Sequence, residues 1–279
     1  MEPKLGKQKK HRQSVSSIAD TIDKHRLYEE SVQNAEFETE FVADIYKKTR
    51  HREARSLRED FCGTANAACE WVKRDSANTA IGVDLDADVL AWGRRNHVER
   101  LQARQAARVS LLNQNVLHAD TEPVDIVLAM NFSYWCFRTR QSLGEYFRKV
   151  HASLNDRGIF FLDAYGGYEA YEEMEEETEY DDFTYVWDQA QYDPVTGHMK
   201  AHIHFRFPDG SELSPAFTYD WRLWSLPELR ELLEEAGFKK ITVYDQVWDY
   251  ELEEAVDEFV PVQKMDADPA WVVYIAAEK

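Results

Sequence analysis

The feature that most constrains the fold is a strand, tight turn and helix, followed by a second strand that ends in an acidic residue. The turn comprises residues 61–65 (FCGTA), and the second strand ends at Asp84. The small side chains of Gly63 and Ala65 let backbone N–H groups and a helix N-terminus approach a ligand closely. The carboxylate of Asp84 can accept hydrogen bonds from both hydroxyls of a ribose. Together, the two segments predict a site for a nucleoside-containing cofactor.

Each part of this pattern also has a structural explanation when it is taken alone. Glycine-rich turns are common between strands and helices, and Asp84 can act as a helix cap. The order of strand, turn, helix, strand and acid favours a nucleoside site over these roles. Phe61 would restrict the backbone access that a pyrophosphate requires, so a cofactor without phosphate suits the turn better than a dinucleotide does.

Residues 57–65 (LREDFCGTA) resemble the first motif of class I S-adenosylmethionine-dependent methyltransferases, in which an acidic residue precedes a turn of the Cys-Gly-Thr-Gly type. Glu59 falls at the acidic position, whereas Phe61 and Ala65 replace the first and last glycines of the motif. The variant Arg-Glu-Asp-Phe-Cys-Gly-Thr-Ala resembles one branch of that family. The resemblance implies a Rossmann-like fold, methyl transfer as the activity, S-adenosyl-L-methionine as the cofactor and S-adenosyl-L-homocysteine as the product.

The resemblance also implies cofactor-binding roles for particular residues. Glu59 is expected to orient the methionine end of the cofactor, Gly63 to permit its close approach and Asp84 to hold the ribose. Asn115 stands near the position of an acid that accepts the adenine amino group in the family, and its amide can also donate to a ring nitrogen. Asp120 is the alternative at that position. The full set predicted to bind the cofactor is Glu59, Cys62, Gly63, Thr64, Asp84, Leu85, Asn115, Val116 and Met130.

Three candidates for roles in the reaction lie near the predicted crevice. The apolar strand 125–130 leads into Asn131 and Tyr134, at the edge where open α/β sheets bind ligands. Tyr28 belongs to N-terminal helices that, in related methyltransferases, lie over the methionine end of the cofactor. The alternative for the tyrosines is that their rings only pack in the core.

Two histidines, His202 and His204, stand two residues apart on a predicted strand and therefore share one face. Because no third side chain has the spacing of a metal ligand, no metal site is predicted. His204 is a candidate base or lid contact, and the alternative is that both are ordinary sheet residues.

The alternation of strands and helices predicts the α/β class, with a mostly parallel, Rossmann-like sheet of seven strands and helices on both faces. Residues 14–50 are expected to form an N-terminal helical cap, broken near Asn34. Residues 51–165 and 225–279 would form the core, and residues 166–224 an antiparallel β lid inserted after strand five. The lid strands are predicted at 183–192, 198–207 and 213–224, with hairpin signals between them.

Three segments are expected to contribute little to the core. Residues 1–13 are basic and polar, which predicts a mobile tail ahead of a single methyltransferase domain at 14–279. The glutamate run within 166–182 is expected to be a solvated helix or loop face, and 249–268 a surface connection.

Composition narrows the choice of partner and compartment. A net charge of −19 disfavours attraction to nucleic acid or an anionic membrane. The three cysteines form no Cys-x-x-Cys pair and are typical of reduced thiols, and no apolar run approaches the length of a membrane span. These observations predict a cytoplasmic protein, whose oligomeric state the sequence does not specify.

The acidic surface and the aromatic lid favour a small-molecule acceptor, cationic or an amine, that could stack on Trp135 or Tyr165. We expect in-line methyl transfer to a nucleophilic N, O or S atom, achieved mainly by positioning. Two alternatives stay open: methylation of a protein or an RNA, and a non-catalytic module that binds S-adenosylmethionine.

Overall fold

The computed structural model describes residues 16–249 and 254–279, and the predicted tail at 1–13 lies outside them. In chain order the strands are β1 (Ser56–Asp60), β2 (Thr79–Asp84), β3 (Val109–Asn113), β4 (Val124–Ala129), β5 (Leu154–Gly166), β6 (Met174–Glu179), β7 (Thr184–Asp193), β8 (His198–Arg206), β9 (Glu212–Arg222), β10 (Lys240–Asp249), β11 (Glu254–Val262) and β12 (Trp271–Glu278). The helices are α1 (Ile18–Thr21), α2 (Lys24–Val32), α3 (Ala35–Arg50), α4 (Asn66–Arg74), α5 (Ala87–Asn96), α6 (Ala103–Ala106), α7 (Arg140–Ser153) and α8 (Leu226–Ala236).

The larger sheet has the strand order β11-β10-β12-β5-β4-β1-β2-β3. Strands β1 to β5 are parallel to one another, and β12 runs antiparallel to β5. Every residue of β4 is buried, as expected for a central strand that is covered on both faces. The predicted α/β class with a mostly parallel sheet is therefore confirmed.

The prediction of seven strands was wrong by one, because the acidic segment expected to be a surface connection contains β11. This strand pairs antiparallel with β10 at the edge of the sheet. Its Phe259 ring stacks on Tyr274 at a centroid distance of 4.3 Å, which gives the strand an apolar attachment. Charged side chains are common on edge strands because they discourage pairing with other molecules. The acidic composition of this segment is therefore compatible with a strand.

A separate antiparallel sheet with the order β6-β7-β8-β9, here called the lid sheet, follows β5. The predicted meander accounts for β7 to β9, but the glutamate run expected to be a solvated helix or loop forms the edge strand β6. Glu175 and Glu177 both pair with Arg206 of β8, with a distance of 2.8 Å to Glu175. Alternate glutamates of β6 therefore lie on one face of the strand. The number of charges in the segment does not indicate this arrangement.

The N-terminal helices break where the sequence indicated. Asn34 separates α2 from α3, and its side chain caps α3 by accepting a hydrogen bond from the backbone N–H of Phe37 at 3.3 Å. A further short helix, α1, precedes the two that were predicted. Helix α5 follows β2 and ends at Asn96. Within the described ranges, no helix is both long and apolar enough to span a membrane.

A buried ion pair lies within the first motif and explains two of its residues. Arg58 is almost fully buried, and its guanidinium donates to both carboxylate oxygens of Asp60 at 2.8 and 2.9 Å. The hydroxyl of Tyr146 donates to the same carboxylate at 3.0 Å. Arg58 and Asp60 therefore connect β1 to α7.

We expect Asp60→Ala to lower the free energy of unfolding by about 3–5 kcal/mol, because it leaves the buried Arg58 cation without a partner. The double variant Arg58→Met/Asp60→Leu should lower the free energy of unfolding by less, because it removes both charges. Urea unfolding of the single and double variants measures the difference. Equal losses would show that the ion pair is not what the single substitution disrupts.

Candidate functional site

The backbone of the turn after β1 leaves open space beside its glycine. Phe61, Gly63 and Ala65 all adopt left-handed conformations, with φ of 57°, 52° and 59°. A Cβ atom added to Gly63 would meet nothing within 4 Å, so the turn exposes its backbone at this point. The Phe61 ring packs against Tyr146 at a centroid distance of 5.5 Å. A bulky residue therefore occupies a position of the motif without closing the turn.

Asp84 at the end of β2 holds this turn in place. One carboxylate oxygen accepts a hydrogen bond from the backbone N–H of Gly63 at 2.8 Å, and the other accepts from Asp86 at 2.8 Å. A carboxylate has about four lone-pair sites, so capacity remains for a ligand hydroxyl.

A cavity of about 330 Å³, here called the smaller cavity, lies beside the turn and under α2 and α3. It brings together most of the residues predicted to bind a cofactor and two of those predicted to act in the reaction. The predicted residues that line it are Tyr28, Glu59, Cys62, Gly63, Thr64, Asp84, Met130 and Asn131.

Leu85, Asn115 and Val116 are not part of that lining. The Leu85 side chain is 70% exposed, and Val116 is buried in the core. The Asn115 side chain accepts a hydrogen bond from the backbone N–H of Leu117 at 2.9 Å. Leu85 and Asn115 follow the ends of β2 and β3, where Asp84 pairs with Asn113.

Tyr134 and His204 lie apart from the smaller cavity. Tyr134 is fully buried, and its hydroxyl donates to the backbone carbonyl of Asp163 at 2.6 Å. His204 is 8% exposed, contacts Asp188 at 3.2 Å, and lies on the face of the lid sheet opposite Ile203. Within the described ranges, no three His, Cys, Asp or Glu side chains are grouped to hold a metal ion.

A second cavity of about 820 Å³, here called the larger cavity, lies between the inner face of the lid sheet and the carboxyl ends of the core strands. Aromatic side chains form much of its wall, among them Tyr165, Tyr185, Trp187, Trp221 and Trp271. Trp135 is fully buried behind Tyr165, with ring centroids 4.8 Å apart.

The two cavities adjoin at Tyr28, Asn131 and Tyr219, which line both of them. The hydroxyls of Tyr28 and Tyr219 are hydrogen-bonded to each other, and burial raises the pKa of Tyr28 to about 12. Both phenols are therefore protonated at neutral pH and can orient a neighbouring polar group.

Asp163 at the β5 strand holds the turn that carries Asn131. Its carboxylate accepts the backbone N–H groups of Asn131 at 2.7 Å and Phe132 at 2.9 Å. Both residues have left-handed backbones, with φ of 57° and 56°, a conformation that costs free energy for residues other than glycine. The hydrogen bonds to Asp163 thus stabilise a strained turn at the junction of the cavities.

The buried carboxyl groups of Glu38 and Asp163 and the half-buried one of Glu59 surround this region. Burial raises the pKa of Glu38 to about 7, of Glu59 to about 8 and of Asp163 to about 8. The backbone N–H of Ala68 lowers the pKa of Glu59, whereas the charge of Glu38 raises it. The charge of Glu38 also raises the pKa of Asp163. These carboxyls therefore favour a nearby cation over additional negative charge.

Glu38 and Tyr219 were not predicted, although each has a recognisable position in the sequence. Glu38 is a polar residue on the buried stripe of α3, which also contains Phe41 and Val42. Tyr219 alternates with Phe217 and Trp221 along β9, so all three face the same side of the lid sheet.

No protein-family model matches the chain, and no curated protein matches it. Solved structures do match. An S-adenosylmethionine-dependent methyltransferase from Clostridium acetobutylicum has a TM-score of 0.66 at 15% identity, over 91% of this chain and 96% of that chain. The chain has the fold of these methyltransferases.

Two further solved structures of this fold are of methyltransferases that act on sugars. One is an S-adenosylmethionine-bound amino pentose methyltransferase from Micromonospora echinaspora, involved in calicheamicin biosynthesis, with a TM-score of 0.62 at 14% identity over 96% of this chain and all of that chain. The other is a sugar N-methyltransferase from Streptoalloteichus, with a TM-score of 0.58 at 16% identity over 98% of each chain.

We expect the free energy of unfolding of the ligand-free protein to fall as pH rises from about 4.5 to about 8. The folded state retains protons on Glu38 up to about pH 7 and on Glu59 and Asp163 up to about pH 8, whereas the unfolded chain has released them. Urea unfolding at pH 5.5 and 8.5 measures the change. Glu59→Gln should make it smaller, and the exposed control Glu40→Gln should not. An equal change in the wild type and Glu59→Gln would contradict the assignment to Glu59.

Proposed function

We propose that the protein is an S-adenosylmethionine-dependent methyltransferase that binds its cofactor in the smaller cavity and a small-molecule amine in the larger one. The observation that carries this proposal is the junction of the two cavities at Tyr28, Asn131 and Tyr219. A donor and an acceptor held on either side of this junction would meet there.

The residues around the smaller cavity fit the cofactor. Glycine leaves space for its methionine part at Gly63, and Asp84 has lone pairs free for the ribose hydroxyls. The side-chain oxygen of Gln33 is buried and has no hydrogen-bond partner among the described residues, so it can accept from a bound ligand. Glu59, Cys62, Thr64 and Met130 complete the proposed set at this end.

We assign Leu85, Asn115 and Val116 to the adenine side, because they follow the adjacent ends of β2 and β3. The bound cofactor supplies an electrophilic methyl group on a sulfonium. Tyr28, Asn131 and Tyr219 then need only orient the acceptor in line with that group, and positioning of this kind can lower the barrier by about 7–11 kcal/mol. In this assignment Tyr134 supports the Asp163 backbone, and His204 supports the outer face of the lid sheet.

Charge supports an amine as the acceptor. Five carboxyl groups line the larger cavity, whereas no Lys, Arg or His does so among the described residues. The five are Glu169, Glu176, Asp245, Asp266 and Asp268. A cationic group would be attracted by them and could stack on Tyr165. The structural neighbours described as a sugar N-methyltransferase and an amino pentose methyltransferase have substrates of compatible chemistry.

The larger cavity also weighs against the two alternatives. A module that only binds the cofactor would need no second cavity of about 820 Å³ beside it. An RNA methyltransferase would need clustered basic side chains at this opening, and a protein methyltransferase an open groove. We therefore favour a single domain at residues 14–279, in which 14–50 cap the cofactor and 166–224 enclose the acceptor.

The proposal is tested by incubating the protein with methyl-labelled S-adenosylmethionine and a cell extract, then separating label by molecular size. We expect label in the small-molecule fraction. Asp84→Ala should reduce it at least tenfold, because the ribose loses its acceptor, whereas the exposed control Asp88→Ala should not. Label in the macromolecular fraction would contradict the proposed acceptor class. Failure of the wild type to bind S-adenosylhomocysteine by calorimetry would contradict the whole proposal.

A further inference from the structure

The smaller cavity contains a carboxylate from outside the motif. Glu38 of α3 lines the cavity and is 6% exposed. We infer that Glu38 and Gln33 bind the ammonium group of the cofactor's methionine part. This inference rests on the proposed function, and it adds a specificity determinant from the N-terminal helices, at positions that the motif does not include.

Glu38 is buried without a cationic partner in the part of the chain that the structure describes. Among the described residues, no lysine, arginine or histidine forms an ion pair with it, and the backbone N–H of Asn34 donates a hydrogen bond to its carboxylate. Glu59, which lines the same cavity, is close enough for the two charges to repel each other. A buried carboxylate is costly unless it is paired, and two neighbouring ones are costlier still. A cationic ligand would relieve both.

Gln33 provides an independent observation in the same cavity. It lines the smaller cavity, and its side-chain oxygen is buried without a hydrogen-bond partner in the described chain. Buried polar atoms are nearly always hydrogen-bonded, so this oxygen indicates a donor that arrives with a ligand.

Glu38 and Gln33 together favour a primary ammonium group on the ligand. Such a group has three N–H donors, which can be shared among the Glu38 carboxylate, the Gln33 oxygen and Glu59. The residues around Glu38 do not form a metal-binding group in the described ranges. Neither a carboxylate nor a phosphate of a ligand could take this position, because it would face Glu38 and Glu59.

A comparison of two ligands distinguishes ammonium binding by Glu38 from a purely structural role. S-Adenosylhomocysteine carries the ammonium, and its deamino analogue, 5′-(3-carboxypropylthio)-5′-deoxyadenosine, lacks only that group. We expect Glu38→Gln to weaken the binding of S-adenosylhomocysteine by about ten- to a hundredfold, because a hydrogen bond to a charged group is lost. The affinity for the analogue should change by less than about twofold. Isothermal calorimetry measures both affinities.

Two further variants complete the test. Glu36→Gln, exposed on the same helix, should leave both affinities unchanged. Gln33→Met keeps the side-chain length but removes the acceptor, so it should also weaken S-adenosylhomocysteine selectively, and it serves if Glu38→Gln does not fold. Thermal unfolding should show that ligand-free Glu38→Gln is at least as stable as the wild type, since it removes a buried carboxyl group that has no cationic partner among the described residues.

The outcomes distinguish this inference from the proposed function. If the wild type binds neither ligand, the proposed function fails. If the wild type binds both ligands but Glu38→Gln weakens them equally, Glu38 has a structural role and the inference is overturned. Equal affinity of the wild type for the two ligands would overturn it as well.

Discussion

Hydrogen bonds from backbone N–H groups to carboxylates at strand ends hold the two turns that shape the site. Asp84 accepts from Gly63, and Asp163 accepts from Asn131 and Phe132. Each turn includes residues in left-handed conformations, which persist only where the surroundings stabilise them. Because the carboxyl ends of parallel strands lie along one edge of the sheet, both turns open onto the same crevice. The acids therefore stabilise the backbone as well as provide negative charge.

Helix α2 connects this crevice to the lid sheet. Its Glu29 contacts both Thr64 of the motif turn and His97 after α5. On the other side, the Tyr28 ring packs on Phe217 of β9 at a centroid distance of 5.0 Å. One helix thus covers the smaller cavity and contributes Tyr28 to the wall of the larger one, which links the position of the lid to that of the motif.

Sequence reasoning succeeded where the determinants are local. The pattern of residues 57–65 followed by Asp84 defines a strand, turn and helix through small residues and apolar spacing, and the structure has those elements. It failed at β6 and β11, whose acidic residues become strand residues only through pairing with Arg206 and with β10. Long-range pairing of this kind leaves no signal in local composition.

The same distinction applies to the site. The motif and the strand ends predicted Glu59, Gly63 and Asn131, which line the cavities. Glu38 and Tyr219 come from a helix and an inserted sheet, and they join the site only through tertiary packing. His204 shows the converse, since alternation along β8 directs it away from the larger cavity although its residue type suits catalysis.

The central claim is that a methyl donor and an acceptor meet where the two cavities join. A crystal structure of the protein with S-adenosylhomocysteine tests it most directly. We predict that the ligand's sulfur lies beside Tyr28, Asn131 and Tyr219 and faces the larger cavity, with the ribose at Asp84. A sulfur atom that faces the core or is separated from the larger cavity by protein would contradict the account.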